Sequence, residues 1–185
     1  MDFQSKFEQA LCYADFLQEH ATDEQRRRFA AVHEAVQLGS DQLQLLGSMS
    51  RRIYGLCMAG AWCGDCVEQC PVIQRLFDAA PALELRFMDR DADPELAGEL
   101  QLCGSPRVPQ VVFLNEDFDV IGRFGDRTLV KYRRMAETQL GAACPTGLGV
   151  DVELTNAVAQ GWLDELERLH WMVRLSPKLR ERHND

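Results

Sequence analysis

The chain has 185 residues and carries 29 acidic against 20 basic side chains, a formal net charge of −9. That length buries one good core, and the negative excess argues against nucleic acid and anionic membranes as partners. Seven cysteines are an odd number, which excludes a fully paired structural framework, and no apolar stretch is long enough to span a bilayer.

Met1-Asp2-Phe3-Gln4 lacks the basic and apolar regions of a signal peptide, so the cytoplasm is the expected location and most cysteines are expected as free thiols. Phe3, Phe7, Ala10, Ala14 and Leu17 follow helical spacing. Thr22 and Gln25 form the pattern of a capping box that opens a second helix. That helix turns Phe29, Val32 and Val36 inward and stops near Gly39. Ser40 or Asp41 then caps a short third helix through Leu43 and Leu46.

The middle of the chain predicts strand 52–59, helix 64–79, strand 83–88, helix 94–102, strand 110–115, strand 118–124 and helix 126–140. Asn115 to Asp117 is the turn between the last two strands. A strand–helix–strand segment implies parallel pairing, and a short hairpin implies an antiparallel edge. The expected fold is therefore α/β, a mixed sheet with helices on both faces. A loop containing Pro145, Gly147 and Gly149 follows, then a long helix from Asp151 to Leu175 with Ala159, Trp162, Leu166, Leu169 and Val173 on one face. Pro177 is expected to end it and leave a frayed polar tail. The divisions are an N-terminal helical extension, 1–50, a central domain, 51–141, and a loop with a C-terminal helix packed on the same domain, 142–185.

The chemistry-bearing motif is Trp62-Cys63-Gly64-Asp65-Cys66, between the apolar run Ile53 to Ala59 and a helical pattern. A dithiol between a strand and a helix start is a redox signature. Backbone N–H groups and the positive end of the helix dipole favour a thiolate there, and the thiolate is the species that opens a disulfide.

In order and spacing these residues resemble the thioredoxin family. Pro71 stands eight residues after Cys63, where thioredoxins have a helix-kinking proline. Arg107-Val108-Pro109 leads into the strand Gln110 to Leu114, so Pro109 matches the family's cis-proline. The Trp-Cys-Gly-Asp-Cys form, Asp89-Arg90-Asp91 and Gly125-Asp126-Arg127 are similar to one bacterial branch with helices ahead of the redox domain. The resemblance covers roughly Arg51 to Leu140. It implies thiol–disulfide exchange with Cys63 as nucleophile, Cys66 as resolving thiol, and Trp62, Val108 and Pro109 lining the substrate site. It also implies that Gly64 and Asp65 modulate the pair, that no cofactor or metal is needed, and that a separate reductant recycles the protein. The expected partner is a disulfide-containing protein or a small disulfide substrate.

Asp65 replaces the proline common between thioredoxin cysteines. One reading makes it a solvated acid suited to a first helical turn; the other sets its charge against the Cys63 thiolate. Six residues before Cys63, where thioredoxins bury an aspartate, stands Cys57, read as a small buried hydrophobe; Asp65 or water is left to carry the proton. Cys70 extends the run to Cys63-x2-Cys66-x3-Cys70-Pro71, part of an iron–sulfur ligand pattern, yet it also lies on the apolar stripe of Cys66, Ile73 and Phe77. Cys103 stands before Pro109 as a candidate for an auxiliary disulfide. Cys12 and Cys144 carry no motif.

Asp89, Asp91 and Asp93 alternate like a calcium loop, but Pro94 and Leu100 occupy the positions that need glycine and glutamate. Asp93 is instead the cap of a helix beginning at Pro94. Arg123 and Arg127 are either a solvated pair or a means of substrate selection. The alternatives to an oxidoreductase are a metal or iron–sulfur module on Cys63, Cys66 and Cys70, or a non-catalytic binding protein of the same fold.

Overall fold

A computed structural model describes residues 1–141, 145–148 and 153–184. The N-terminal extension contains α1 (Phe3–Gln9), α2 (Tyr13–His20), α3 (Asp23–Ala35) and α4 (Ser40–Ser48). The helical spacing from Phe3 to Leu17 belongs to two helices rather than one. Between them Leu11 is extended and pairs with Phe87 through N–H···O bonds of 2.9 and 2.7 Å. The Thr22/Gln25 capping box is present in full. Gly39, not Ser40 or Asp41, is the cap residue of α4; its N–H donates to the Gln42 side chain.

β1 (Ile53–Ala59) is followed by α5 (Gly64–Asp78) and β2 (Leu83–Asp89), then by α6 (Pro94–Glu99). β3 (Gln110–Leu114), β4 (Val120–Gly125) and α7 (Leu129–Leu140) complete the central region. Among the described residues the sheet has the order β2-β1-β3-β4, with β1 and β2 parallel and the other two pairings antiparallel. β1 and β3 are central and read as near-continuous apolar runs because both of their faces are covered. This is the mixed sheet with flanking helices that the resemblance implies. Asp93 caps α6 through the Leu96 N–H, with Pro94 at its first position.

α8 (Leu154–Arg174) buries the apolar face on which Ala159, Trp162, Leu166, Leu169 and Val173 lie. It packs against α5. Asp151, the expected start of this helix, lies outside the described residues, as do Gly149 and Cys144. Pro177 does not lead into a frayed tail. It opens α9 (Pro177–His183), with Ser176 as cap, because a first-turn proline lacks only an N–H that would be unpaired anyway. The extension and the C-terminal helices share one core with the sheet: Phe16, Phe29, Leu56, Ile73, Phe113 and Trp162 belong to a single buried cluster. Among the described residues no helix is long and apolar enough to cross a membrane.

Candidate active site

The dithiol sits where β1 hands the chain to α5. Cys63 is the cap residue of α5, in extended conformation, and Cys66 lies in its first turn. That step separates the two thiols by environment: Cys63 is half-buried and Cys66 is buried. The Gly60 N–H points at the Cys66 sulfur at 3.4 Å. The Cys63 sulfur approaches the Val108 carbonyl oxygen at 3.6 Å, so the loop before β3 closes over the outer thiol. The Val108–Pro109 peptide bond is cis. Gly125, at the end of β4, passes so near this loop that a Cβ there would stand 2.4 Å from the Pro109 carbonyl oxygen, and its φ is +136°; both conditions call for glycine.

Trp62 leaves half its surface in solvent, 51%. Its indole lies under the Arg90 guanidinium, 4.3 Å from the ring centroid, and packs against Gly60, where a Cβ would meet the ring at 2.7 Å. A cleft beside Cys63 is lined by Trp62, Arg90, Pro106, Arg107, Val108 and Arg127. Gly64, in contrast, faces open space, since nothing lies within 4 Å of a Cβ built there.

Asp65 is neither solvated nor unopposed. Its carboxylate forms an ion pair with Arg127 and another with Lys131, at 3.0 Å. Burial disfavours the ionised form, but the two cations outweigh it and hold the carboxyl below its ordinary range. This corrects the expectation of a bare negative charge repelling the Cys63 thiolate: the local field is that of a neutralised cluster. It also makes Asp65 a poor proton donor at neutral pH. The sequence could offer either cation as a partner, but neither is near Asp65 along the chain.

Arg127 therefore belongs to the site. Arg123 does not: it pairs with Glu99. Asp126, which the sequence offered as part of Gly125-Asp126-Arg127 but not as a site residue, is buried. It accepts hydrogen bonds from Tyr132 and, at 3.1 and 3.5 Å, from Arg127 and Arg107. Its backbone carbonyl accepts from the Gln69 side chain at 2.7 Å, and Gln69 in turn accepts from the Trp162 indole at 3.2 Å. α8 is thus tied through α5 to the loop that supplies Arg127.

The helix start alone suggests a low thiol pKa. The surroundings raise that of Cys63 instead, first through its hydrogen bond with Cys66 and then through burial, while the backbone N–H groups of Cys66 and Asp65 pull the other way. Burial pushes the Cys66 and Cys70 thiols well up. Cys57 is fully buried in β1 and Cys70 in α5. Among the described residues no group of three or more His, Cys, Asp or Glu side chains is disposed to hold a metal ion, so the Cys63–Cys66–Cys70 ligand reading gains no support from geometry. Cys103 is exposed and free, in a turn with φ +53°; it forms no auxiliary disulfide here. The described cysteines, Cys12 among them, are all free thiols.

A family model described as thioredoxin matches residues 13–137. Among solved structures, the chain is similar to a Pseudomonas aeruginosa protein of unknown function, with a TM-score of 0.70 and 19% identity over 91% of this chain and 96% of that one. It is also similar to an HIV epitope scaffold, with a TM-score of 0.61 and 21% identity over 93% and 94% of the two chains. At these identities the likeness is one of fold. No curated protein sequence matches the chain.

Proposed function

The chain belongs to the thioredoxin family, and from that premise we propose that it is a thiol–disulfide oxidoreductase that reduces partner disulfides through Cys63 and Cys66. The observation that carries this reading is the asymmetry of the two thiols at one helix start: Cys63 half-buried beside the Val108 carbonyl, Cys66 buried behind it.

In the proposed cycle the Cys63 thiolate attacks one sulfur of a partner disulfide. A Cys63–partner bond forms, the partner's bond breaks, and the departing partner thiolate takes a proton. Cys66 gives up its proton and attacks the Cys63 sulfur. The intramolecular disulfide forms and the second partner thiol leaves. Two electrons have passed to the partner, and a separate thiol reductant returns them to the pair. The direction toward reduction is supported by the raised Cys63 pKa, because an unstabilised thiolate makes the reduced form a better donor. Trp62 and Val108 offer the flat and extended surfaces on which a substrate segment lies. No step calls on a cofactor, and the cytoplasm, where such a reductant is kept reduced, is the proposed location.

The test is trapping. Cys66→Ser, incubated with a protein disulfide, should accumulate a mixed disulfide at Cys63, and wild-type protein with a dithiol reductant should turn that substrate over. A Cys63→Ser variant with unchanged turnover would remove the proposal and favour a non-catalytic binding role.

A further inference from the structure

Two cysteines that the proposed cycle does not use stand directly behind it. Cys57 lies on β1 and Cys70 on α5, and both, like Cys66, are fully buried. Gly55 and Cys57 are two apart in a strand and so share a face. A Cβ at Gly55 would meet the Phe77 ring at 2.9 Å, so that face looks onto α5. Cys66 and Cys70 are one turn apart on α5 and share a side of it. Cys66 lies in the first turn of α5, Cys70 one turn further along it and Cys57 on the strand face that looks onto this helix, and the electrostatics agree, since Cys66 is influenced by Cys63 and Cys70, and Cys70 by Cys57. The thiols do not converge as metal ligands. They form a line from the cleft into the core.

We propose that Cys57 and Cys70 form a second, buried dithiol that takes over the disulfide from Cys63 and Cys66 by internal exchange, so that one chain holds four reducing equivalents. The inference rests on the proposed function for its first disulfide. The Cys70 sulfur attacks Cys66 of the Cys63–Cys66 bond; a Cys66–Cys70 bond forms and Cys63 departs as thiolate. Cys57 then attacks Cys70; the Cys57–Cys70 bond forms and Cys66 departs. The two protons lost by Cys70 and Cys57 end on Cys63 and Cys66. The rearrangement is an isomerisation and consumes no oxidant. The regenerated outer pair reduces a second partner disulfide, which is the oxidant for the second two electrons.

The middle link is the transient one. Side chains one turn apart have Cβ atoms about 5–6 Å from each other, wider than the roughly 3.5–4.5 Å of a relaxed bridge, so the Cys66–Cys70 bond is strained within the helix and open to attack by Cys57. The extension adds a polar group at the inner end. The Tyr13 hydroxyl of α2 is buried with no hydrogen-bond partner among the described residues, and it lies close enough to Cys70 to feel its charge.

The experiment oxidises the fully reduced chain with excess hydroxyethyl disulfide under anaerobic conditions, quenches in acid, alkylates and maps the links. Cleavage at Met58, Asp65 and Glu68 separates all four cysteines. Wild type should reduce two equivalents per chain and show both Cys63–Cys66 and Cys57–Cys70. Cys70→Ala and, independently, Cys57→Ala should stop at one equivalent. In Cys63→Ser the Cys57–Cys70 link should form at least tenfold more slowly, since the disulfide enters through the cleft. One equivalent in wild type, with Cys57 and Cys70 alkylated, overturns the second dithiol and leaves the proposed function standing. A second equivalent held at Cys12 or Cys103 overturns it equally, as does an undiminished Cys57–Cys70 rate in Cys63→Ser. No reduction at all overturns both readings.

Discussion

At Cys63 two local fields compete, and the pKa direction says which wins. The hydrogen bond to Cys66 and burial outweigh the N–H groups of the helix start. Alkylation of Cys63 in the reduced protein should therefore keep accelerating as pH rises past the ordinary thiol value of 9.0, with no plateau near neutrality. A plateau below pH 8 would place the thiolate on the stabilised side and reverse the expected reductant character. Asp65 is the lever on this balance. In Asp65→Asn, Arg127 and Lys131 lose their counter-charge beside the dithiol. The Cys63 pKa should fall and the pair should become more oxidising, read as thiolate absorbance against pH and as a redox titration. The same change removes charge-assisted hydrogen bonds worth about 1.5–3 kcal/mol. The carboxyl is held below its unfolded value of 3.8, so the stability it supplies is complete above that pH and disappears as pH falls through the lower folded value. Acid unfolding below pH 4 should accordingly be less steep in Asp65→Asn than in wild type.

At the scale of elements, α5 is held from three directions. α3 and α8 pack on it, and Gln69 joins the Trp162 indole to the Asp126 carbonyl. Gln69→Leu leaves both of those buried groups without a partner. It should cost about 1–3 kcal/mol each by the usual penalty for an unmet buried polar group, measured as a lower denaturant midpoint, and it should slow turnover by loosening the Arg127 loop. Gly125→Ala meets a positive φ and the Pro109 carbonyl at once. Backbone strain alone is about 1–3 kcal/mol, and a variant as stable as wild type would contradict the close approach described for that loop.

These elements also mark what was legible in the sequence. Thr22 with Gln25, and Asp93 with Pro94, were readable because a cap and its partner lie within three residues of each other. The dithiol was readable because its spacing is local to a strand–helix junction. The break at Leu11 was not: helical spacing runs on through Ala10 and Ala14, and only pairing with Phe87, far along the chain, pulls Leu11 out of the helix. Helix 126–140 begins late, at Leu129, because Asp126 is drawn inward by Arg107, Arg127 and Tyr132. The partners of Asp65 were hidden for the same reason. Contacts between distant residues carry the electrostatics of this site, and no local pattern announces them.

For the molecule as a whole, the N-terminal extension guards the sheet. β2 is a terminal strand, and Leu11 occupies its outer edge with two backbone hydrogen bonds. An unoccupied edge of this kind pairs with other chains. Leu11→Pro deletes the N–H that bonds Phe87. Stability should fall by about 1 kcal/mol or more, and light scattering should show self-association that wild type lacks.

The bracing of α5 reaches beyond architecture. Closing a disulfide between two thiols already fixed at one helix start needs little further ordering of the chain, so the fold itself sets the effective molarity of Cys66 toward Cys63. Folding and oxidation are then linked equilibria. A change in the grip of α3 and α8 on α5 that favours the disulfide and dithiol forms unequally shifts the midpoint potential, even from a position that touches neither sulfur. On the proposed function, the redox poise of the dithiol is in that sense set by the whole core, and a ligand or substitution that stabilises one redox form over the other regulates it.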